Sequence, residues 1–142
     1  MNKPTTQEAL IYLMVMVSAS DRDMVDPELS RIGFVVGNLP VFEGFKVERT
    51  LDVARQCQEW LQRENGFEEI LDAVVAAVPE RLRETAYLLA VDIAVVDLHV
   101  EPEELRMLQI LRDRLGVGRE AVAAIQRAAR ARFLRLDPVT GN

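Results

Sequence analysis

One cysteine, Cys57, stands in the whole chain. No internal disulfide can close, and such sparing use of thiols suits a reducing cytoplasm. One histidine, His99, and no Glu-x-x-His pair argue against a di-iron carboxylate bundle, which needs two such pairs. Positive charge is short as well: 17 Lys and Arg stand against 23 Asp and Glu, a net charge of −6. An acidic chain repels phosphate backbones, and the one local excess of positive charge is "RAARARFLR", so nucleic acid is set aside as a partner. Apolar runs are brief. "ALIYLMVMV" falls far below the roughly 18 residues of a membrane span, and the N-terminus has no basic n-region, so no direct membrane insertion is expected. There is no Gly-x-Ser-x-Gly and no phosphate-binding glycine loop. Cys57 lies within the helical stretch "ARQCQEW", distant in sequence from the lone His99, and reads as a packed thiol. The chain reads as non-enzymatic and cytoplasmic.

Only six prolines and 49% hydrophobic residues exclude a disordered chain. The 142 residues make one domain, 1–142, which can bury about two-thirds of its surface without disulfide or metal staples. Helix periodicity fills it. "TTQEALIYLMVMVSAS" opens on threonines suited to an N-cap and is apolar on nearly every face, the mark of a buried helix. "DPELSRIGFVVGNL" follows, with Asp26 as N-cap and Pro27 at the first helical position, and "NLPVFEGF" reads as a loop. From Lys46 to Arg63, Val47, Leu51, Ala54, Cys57 or Gln58, and Leu61 recur at helical spacing as a buried face. Gly66 separates this helix from "FEEILDAVVAAV". Pro79 opens "PERLRETAYLLAVDIAVVDL", and Pro102 opens "PEELRMLQILRDRL", which stops at Gly116. A last helix runs from about Arg119 to Leu136. Met14, Met16, Met24, Tyr12 and Tyr87 fall at core spacing, and Trp60 packs or borders a cleft. No segment alternates with period two. The expected fold is all-α, a single domain of six or seven helices.

The chain also repeats itself. Slid by 76 positions, "ASDRDMVDPEL" falls on "VVDLHVEPEEL", so that Asp21 meets Asp97, Glu28 meets Glu104 and Leu29 meets Leu105. The match extends outward: Glu8 meets Glu84, Leu13 meets Leu89, Val15 meets Val91 and Leu39 meets Leu115, while Val17, Ile32 and Val35 meet Ile93, Leu108 and Leu111. The unit is a buried helix, an acidic turn and an amphipathic helix, present at about 8–39 and again at 84–115. Two such helix-turn-helix hairpins can bury their apolar helices against each other around one pseudo-symmetric core.

Each acidic turn admits two readings. Asp26 and Glu28, and likewise Glu101, Glu103 and Glu104, sit at helix starts, where negative charge gains about 0.3–1 kcal/mol from the helix dipole. Capping does not account for Asp21 and Asp97, each at the C-terminal end of an apolar helix, where the dipole disfavours a carboxylate. Like charges gathered in a turn repel unless a cation, a basic side chain or a proton intervenes. A cation on such oxygen ligands would be Ca²⁺ or Mg²⁺, with His99 making Zn²⁺ more acceptable to the second turn. The candidate ligands are Asp21, Glu28, Asp97 and Glu104, with Asp23, Asp92 and His99 as additional ones. An EF-hand is excluded, since the sixth and twelfth positions from Asp21 are Asp26 and Ile32, and those from Asp97 are Pro102 and Leu108.

These paired turns resemble those of the TerB-like tellurite-resistance family, whose usual form is an Ala-Asp-Gly followed at short range by polar residues and a Glu, after an apolar helix. The resemblance spans about residues 7 to 120. It implies an all-helical cytoplasmic fold with internal pseudo-symmetry, a divalent-metal site built from Asp21, Glu28, Asp97 and Glu104, and a protein partner, membrane-associated or soluble. The family's glycine is Arg22 in one turn and Leu98 in the other.

Two further features complete the reading. Asp92, within "LLAVDIAVV", is costly to bury unpaired; it either reaches the acidic turns as a further ligand or pairs with an arginine of a neighbouring helix, and the arginine is favoured. Arg127, Arg130, Arg132 and Arg135 form the densest positive region, a solvated face or a dock for an acidic partner. The expected function is a stress- and tellurite-resistance-type protein responsive to a divalent cation. The alternatives are a metal-independent helical scaffold or interaction module and, third, a metal-assisted hydrolase.

Overall fold

Nine consecutive buried residues, Ala9 to Val17, place the helix α1 (Thr6–Ser18) at the centre of the fold. A helix apolar on all sides finds no stable position at a surface, so other helices must surround it. The computed structural model describes residues 3–18, 26–95 and 100–137, the side chains of Asp26 and Pro27 excepted. Around α1 come α2 (Asp26–Asn38), α3 (Thr50–Leu61), α4 (Gly66–Ala77), α5 (Arg83–Val95), α6 (Pro102–Leu115) and α7 (Arg119–Arg132). No strand occurs among the described residues, and the chain is a single all-α domain. The closest partners of α1 are α5 and α3, followed by α4; α7 and α6 pack on α5.

Helix starts follow local chemistry. At α1, the Thr5 N–H donates to Glu8 Oε1 at 2.9 Å and the Glu8 N–H donates to Thr5 Oγ1 at 3.1 Å, a reciprocal capping box. Thr6 Oγ1 donates to the Ala77 carbonyl at 2.7 Å, joining the start of α1 to the end of α4. One guanidinium holds two helix ends. Arg83 donates to the Val78 and Val75 carbonyls, each at 3.2 Å, and to the Leu115 carbonyl at 3.4 Å, satisfying acceptors that lack partners in the last turns of α4 and α6. Past α6, Gly116 takes φ 69°. The Gly116 N–H then donates to Asp113 O and the Val117 N–H to Arg112 O, which is the Schellman arrangement.

Several boundaries and one face differ from the sequence expectation. Residues 47–49 form a 3₁₀ turn before α3, and the buried face of α3 is Thr50, Val53, Ala54, Cys57 and Trp60. Val47 and Leu51 are both 43% exposed. The two stripes share Ala54 and Cys57, and the bulk of Trp60 decides between them. Its ring meets Tyr12 edge-on at 6.2 Å and its Nε1–H donates to Glu69 Oε1 at 2.8 Å, so it is buried with its polar atom satisfied. With Arg63 and Glu64 it also borders a shallow surface cleft. Between Pro79 and α5 lies a 3₁₀ turn, Glu80–Leu82, and α7 stops at Arg132 rather than continuing to Leu136. Tyr12, Met14, Met16 and Tyr87 are core; Met24 lies outside the described residues. Burial pushes the Cys57 thiol far above its ordinary range, in keeping with a packed, inert thiol.

Candidate functional site

The two helix pairs that carry the acidic segments are α1 with α2 and α5 with α6. Glu28 stands in the first turn of α2 and Glu104 in the first turn of α6, both half-buried. Asp21, Asp23, Asp97 and His99 lie outside the described residues. Of the four principal ligand candidates, the structure therefore places two, each at the N-terminus of the second helix of its pair.

At α6 the chemistry is explicit. Glu101 and Glu104 form a capping box: the Glu101 side chain accepts the backbone N–H of residue 104, and the Glu101 N–H donates to Glu104 Oε1 at 3.0 Å. Two otherwise orphaned donors are satisfied, and both carboxylates lie at the positive end of the helix dipole. This is the capping arrangement anticipated for Glu104. A carboxylate offers about four acceptor sites, so one N–H on Oε1 is chemically compatible with a cation on the same group. The donor set Asp21, Glu28, Asp97 and Glu104 is all hard oxygen, which fits Ca²⁺ or Mg²⁺ in kind. Among the described residues, no three His, Cys, Asp or Glu side chains gather in a cluster able to hold a metal ion.

Asp92 is placed elsewhere. Its Oδ1 accepts from Arg132 Nη1 at 2.6 Å across the α5–α7 contact. Partial burial raises the Asp92 carboxyl above its usual range, and the Arg132 charge acts in the opposite direction. This is the arginine partner that a carboxylate among apolar neighbours requires. Arg132 thereby differs from Arg127, Arg130 and Arg135, which are exposed on or just beyond α7. The four arginines do not form one uniform patch: all four are exposed, but Arg132 is engaged by Asp92 of its own chain.

The paired positions of the two hairpins can be compared directly. Leu13 and Leu89, Val15 and Val91, Val17 and Ile93, and Ile32 and Leu108 are buried in both copies. Leu39 and Leu115 differ, at 36% and 2% exposed. An exposed apolar surface on α2, which includes Phe34 at 70% exposure, accounts for that difference. Its signal was present in the spacing of Phe34, Val35 and Leu39, but periodicity alone assigns such a stripe to the core.

Residues 7–127 match the family model described as tellurite resistance protein TerB, which covers most of the chain. No curated protein and no solved structure gives a match. No described helix is long and apolar enough to cross a membrane.

Proposed function

The chain belongs to the TerB family of tellurite-resistance proteins, and on that premise we propose a non-enzymatic cytoplasmic domain that answers to a divalent cation at its two acidic turns and acts through a protein partner. The observation that carries this reading is the equivalent placement of Glu28 and Glu104, each in the first turn of the second helix of its pair, with Asp21 and Asp97 seven residues earlier in sequence. These four carboxylates would hold the ion. When bound, it supplies the positive charge that offsets their mutual repulsion. Through it, these side chains would couple the end of each apolar helix to the start of the next, so that changing their charge would alter how firmly the two helices are joined. His99 adds a ligand type that Zn²⁺ accepts. Arg127, Arg130 and Arg135 offer an acidic partner, membrane-associated or soluble, a positive face on an otherwise acidic molecule. Charge reversal at two of them should weaken capture of such a partner.

Calorimetry of chelator-treated protein with and without millimolar Ca²⁺, Mg²⁺ or Zn²⁺ tests the cation. A ligand bound by the folded state alone raises the melting temperature by mass action. Absence of a shift with all three ions rejects the cation. A second reading then takes its place, favoured by the capping box of Glu101 and Glu104: a metal-independent scaffold whose acidic turns serve only to start helices.

A further inference from the structure

α2 packs on α1 and α3, and α7 packs on α5; between these groups lies a cleft of about 550 Å³. Its walls are apolar, with Phe34, Val35 and Leu39 from α2 and its end, Leu88 and Ile93 from α5, and Phe133 just past α7. Its volume falls within the roughly 300–1,000 Å³ of small-molecule sites, which are mostly apolar with a few placed polar groups. Phe34 is 70% exposed on this wall. At the offset of 76, Phe34 corresponds to Ile110 and Leu39 to Leu115, and both of those are packed against the core. The first hairpin thus leaves uncovered what the second hairpin covers.

The polar groups of the cleft are Arg31, Asn38, Asp92 and Arg132. The Asn38 amide donates to the Phe34 carbonyl at 2.7 Å, and Arg132 is matched by Asp92 at 2.6 Å. Arg31 is different. It lies on the same stripe of α2 as Phe34 and Val35, at i, i+3 and i+4, and its Nε is buried without a hydrogen-bond partner. A buried unsatisfied donor on a charged group is costly. Counting Arg31, Arg132 and Asp92, the described charges of the cleft leave one net positive charge, the complement of a monoanion.

We propose that this cleft binds a small anionic amphiphile, a single carboxylate on an unbranched apolar tail. The tail lies against Phe34, Leu88, Ile93 and Phe133. A small rotation of the Arg31 side chain brings its Nε–Nη edge to the carboxylate, which accepts two parallel N–H bonds. The site is separate from the acidic turns, and its occupancy does not depend on the cation proposed there.

The test is titration calorimetry of the full chain with decanoate below its micelle threshold. Decyl maltoside and phosphatidylglycerol vesicles serve as the neutral and membrane arms. The expected result is saturable one-to-one binding of decanoate, weaker binding of the neutral amphiphile, and a loss of about tenfold or more in affinity for Arg31→Gln, in line with a charge-assisted hydrogen bond. Arg31→Lys should recover part of the loss. Phe34→Asp, at an exposed position, should abolish binding while leaving the helical circular dichroism unchanged, and it serves as the decisive variant if Arg31→Gln fails to fold. Equal binding of the neutral amphiphile, undiminished binding by folded Arg31→Gln or Phe34→Asp, binding to vesicles alone, or no saturable heat each overturns the proposal.

Discussion

Arg132 reaches from the last turn of α7 to Asp92 in the last turn of α5, Nη1 to Oδ1 at 2.6 Å, with the carboxylate the more buried of the two side chains. Burial and the arginine act oppositely on that carboxylate. Burial dominates, so the Asp92 carboxyl is raised in the folded protein. A raised carboxyl favours folding below its unfolded range, and that contribution disappears as pH rises through the folded value. Removing the arginine removes the opposing influence.

Arg132→Ala should therefore raise the Asp92 carboxyl further, measured by carboxyl-carbon NMR titration. It should also destabilise the protein by about 1–2 kcal/mol at neutral pH, less than a fully buried pair because both groups retain some solvent. Asp92→Asn combined with Arg132→Ala should recover part of that cost in a double-mutant cycle. A purely additive cycle would show that the pair contributes no coupling.

Glu8 has the opposite sign. Its carboxyl is lowered, first by the Thr5 backbone N–H and, against the effect of burial, by Arg49, whose Nη2 lies 2.9 Å from Oε2. A lowered carboxyl stabilises the fold above its unfolded value, and the contribution is lost as pH falls through the folded value. Glu8→Ala should cost about 1 kcal/mol at pH 7, the usual size of a cap. The difference from wild type should shrink on acidification, which urea melts across the acid range would reveal. Glu8→Gln retains an acceptor for Thr5 and should cost less.

Gly66 tests the corner between α3 and α4. A Cβ there would lie 1.9 Å from the Trp60 carbonyl oxygen, a backbone atom unable to rotate aside. Gly66→Ala should cost about 2–4 kcal/mol in chemical denaturation, a value in the range of severe overpacking. Gly116→Ala meets no neighbour within 4 Å but retains φ 69°, so a cost of about 1 kcal/mol is expected. Equal costs at the two glycines would contradict this separation of clash from backbone strain.

How far the residues announced this structure depends on how strongly each signal excludes alternatives. α1 was legible because nine apolar residues in succession leave no solvent face. The end of α6 was legible because Gly116 can adopt a left-handed backbone at little cost. The end of α7 was not: Phe133 to Leu136 contain neither Gly nor Pro, and no local rule stops a helix there. The face of α3 is ambiguous in sequence because two apolar stripes share Ala54 and Cys57. Only the packing of Trp60 against Tyr12, a residue distant in sequence, with its hydrogen bond to Glu69 across the α3–α4 corner, selects one. Arg83 shows the same limit in its bond to Leu115, 32 residues away, since only the assembled fold brings the end of α6 to the end of α4. At the acidic segments, capping by Glu101 and Glu104 was readable from spacing, as was the need of Asp92 for a basic partner. Which arginine it would be was not readable.

The repeat gives a geometric prediction. Residues 8–39 should superpose on 84–115 through an approximate two-fold axis, a relation between helix directions that residual dipolar couplings measure. The paired burial of Leu13 with Leu89 and Ile32 with Leu108 motivates it. Unrelated angles between the helices of the two pairs would reduce the repeat to a coincidence of composition.

The acidic turns can be separated into capping and cation binding by charge-neutral isosteres. Glu104→Gln keeps a side-chain acceptor for the Glu101 N–H, so the capping box survives and its cost without metal should be a few tenths of a kcal/mol to about 1 kcal/mol, from the dipole alone. If the carboxylate also holds a cation, the same variant should lose most of the metal-dependent rise in melting temperature. Asp97→Asn distinguishes the readings more sharply. Asp97 follows α5 by two residues in sequence; a carboxylate at the C-terminal end of that helix would be disfavoured by the dipole, so without metal the substitution should be neutral or slightly stabilising. With metal it should behave like Glu104→Gln and reduce the rise. Asp21→Asn and Glu28→Gln should repeat the pattern if both turns bind. The measurement is differential scanning calorimetry of all four variants, chelated and cation-loaded. A metal-dependent rise that persists undiminished in all four would place the ion away from the acidic turns.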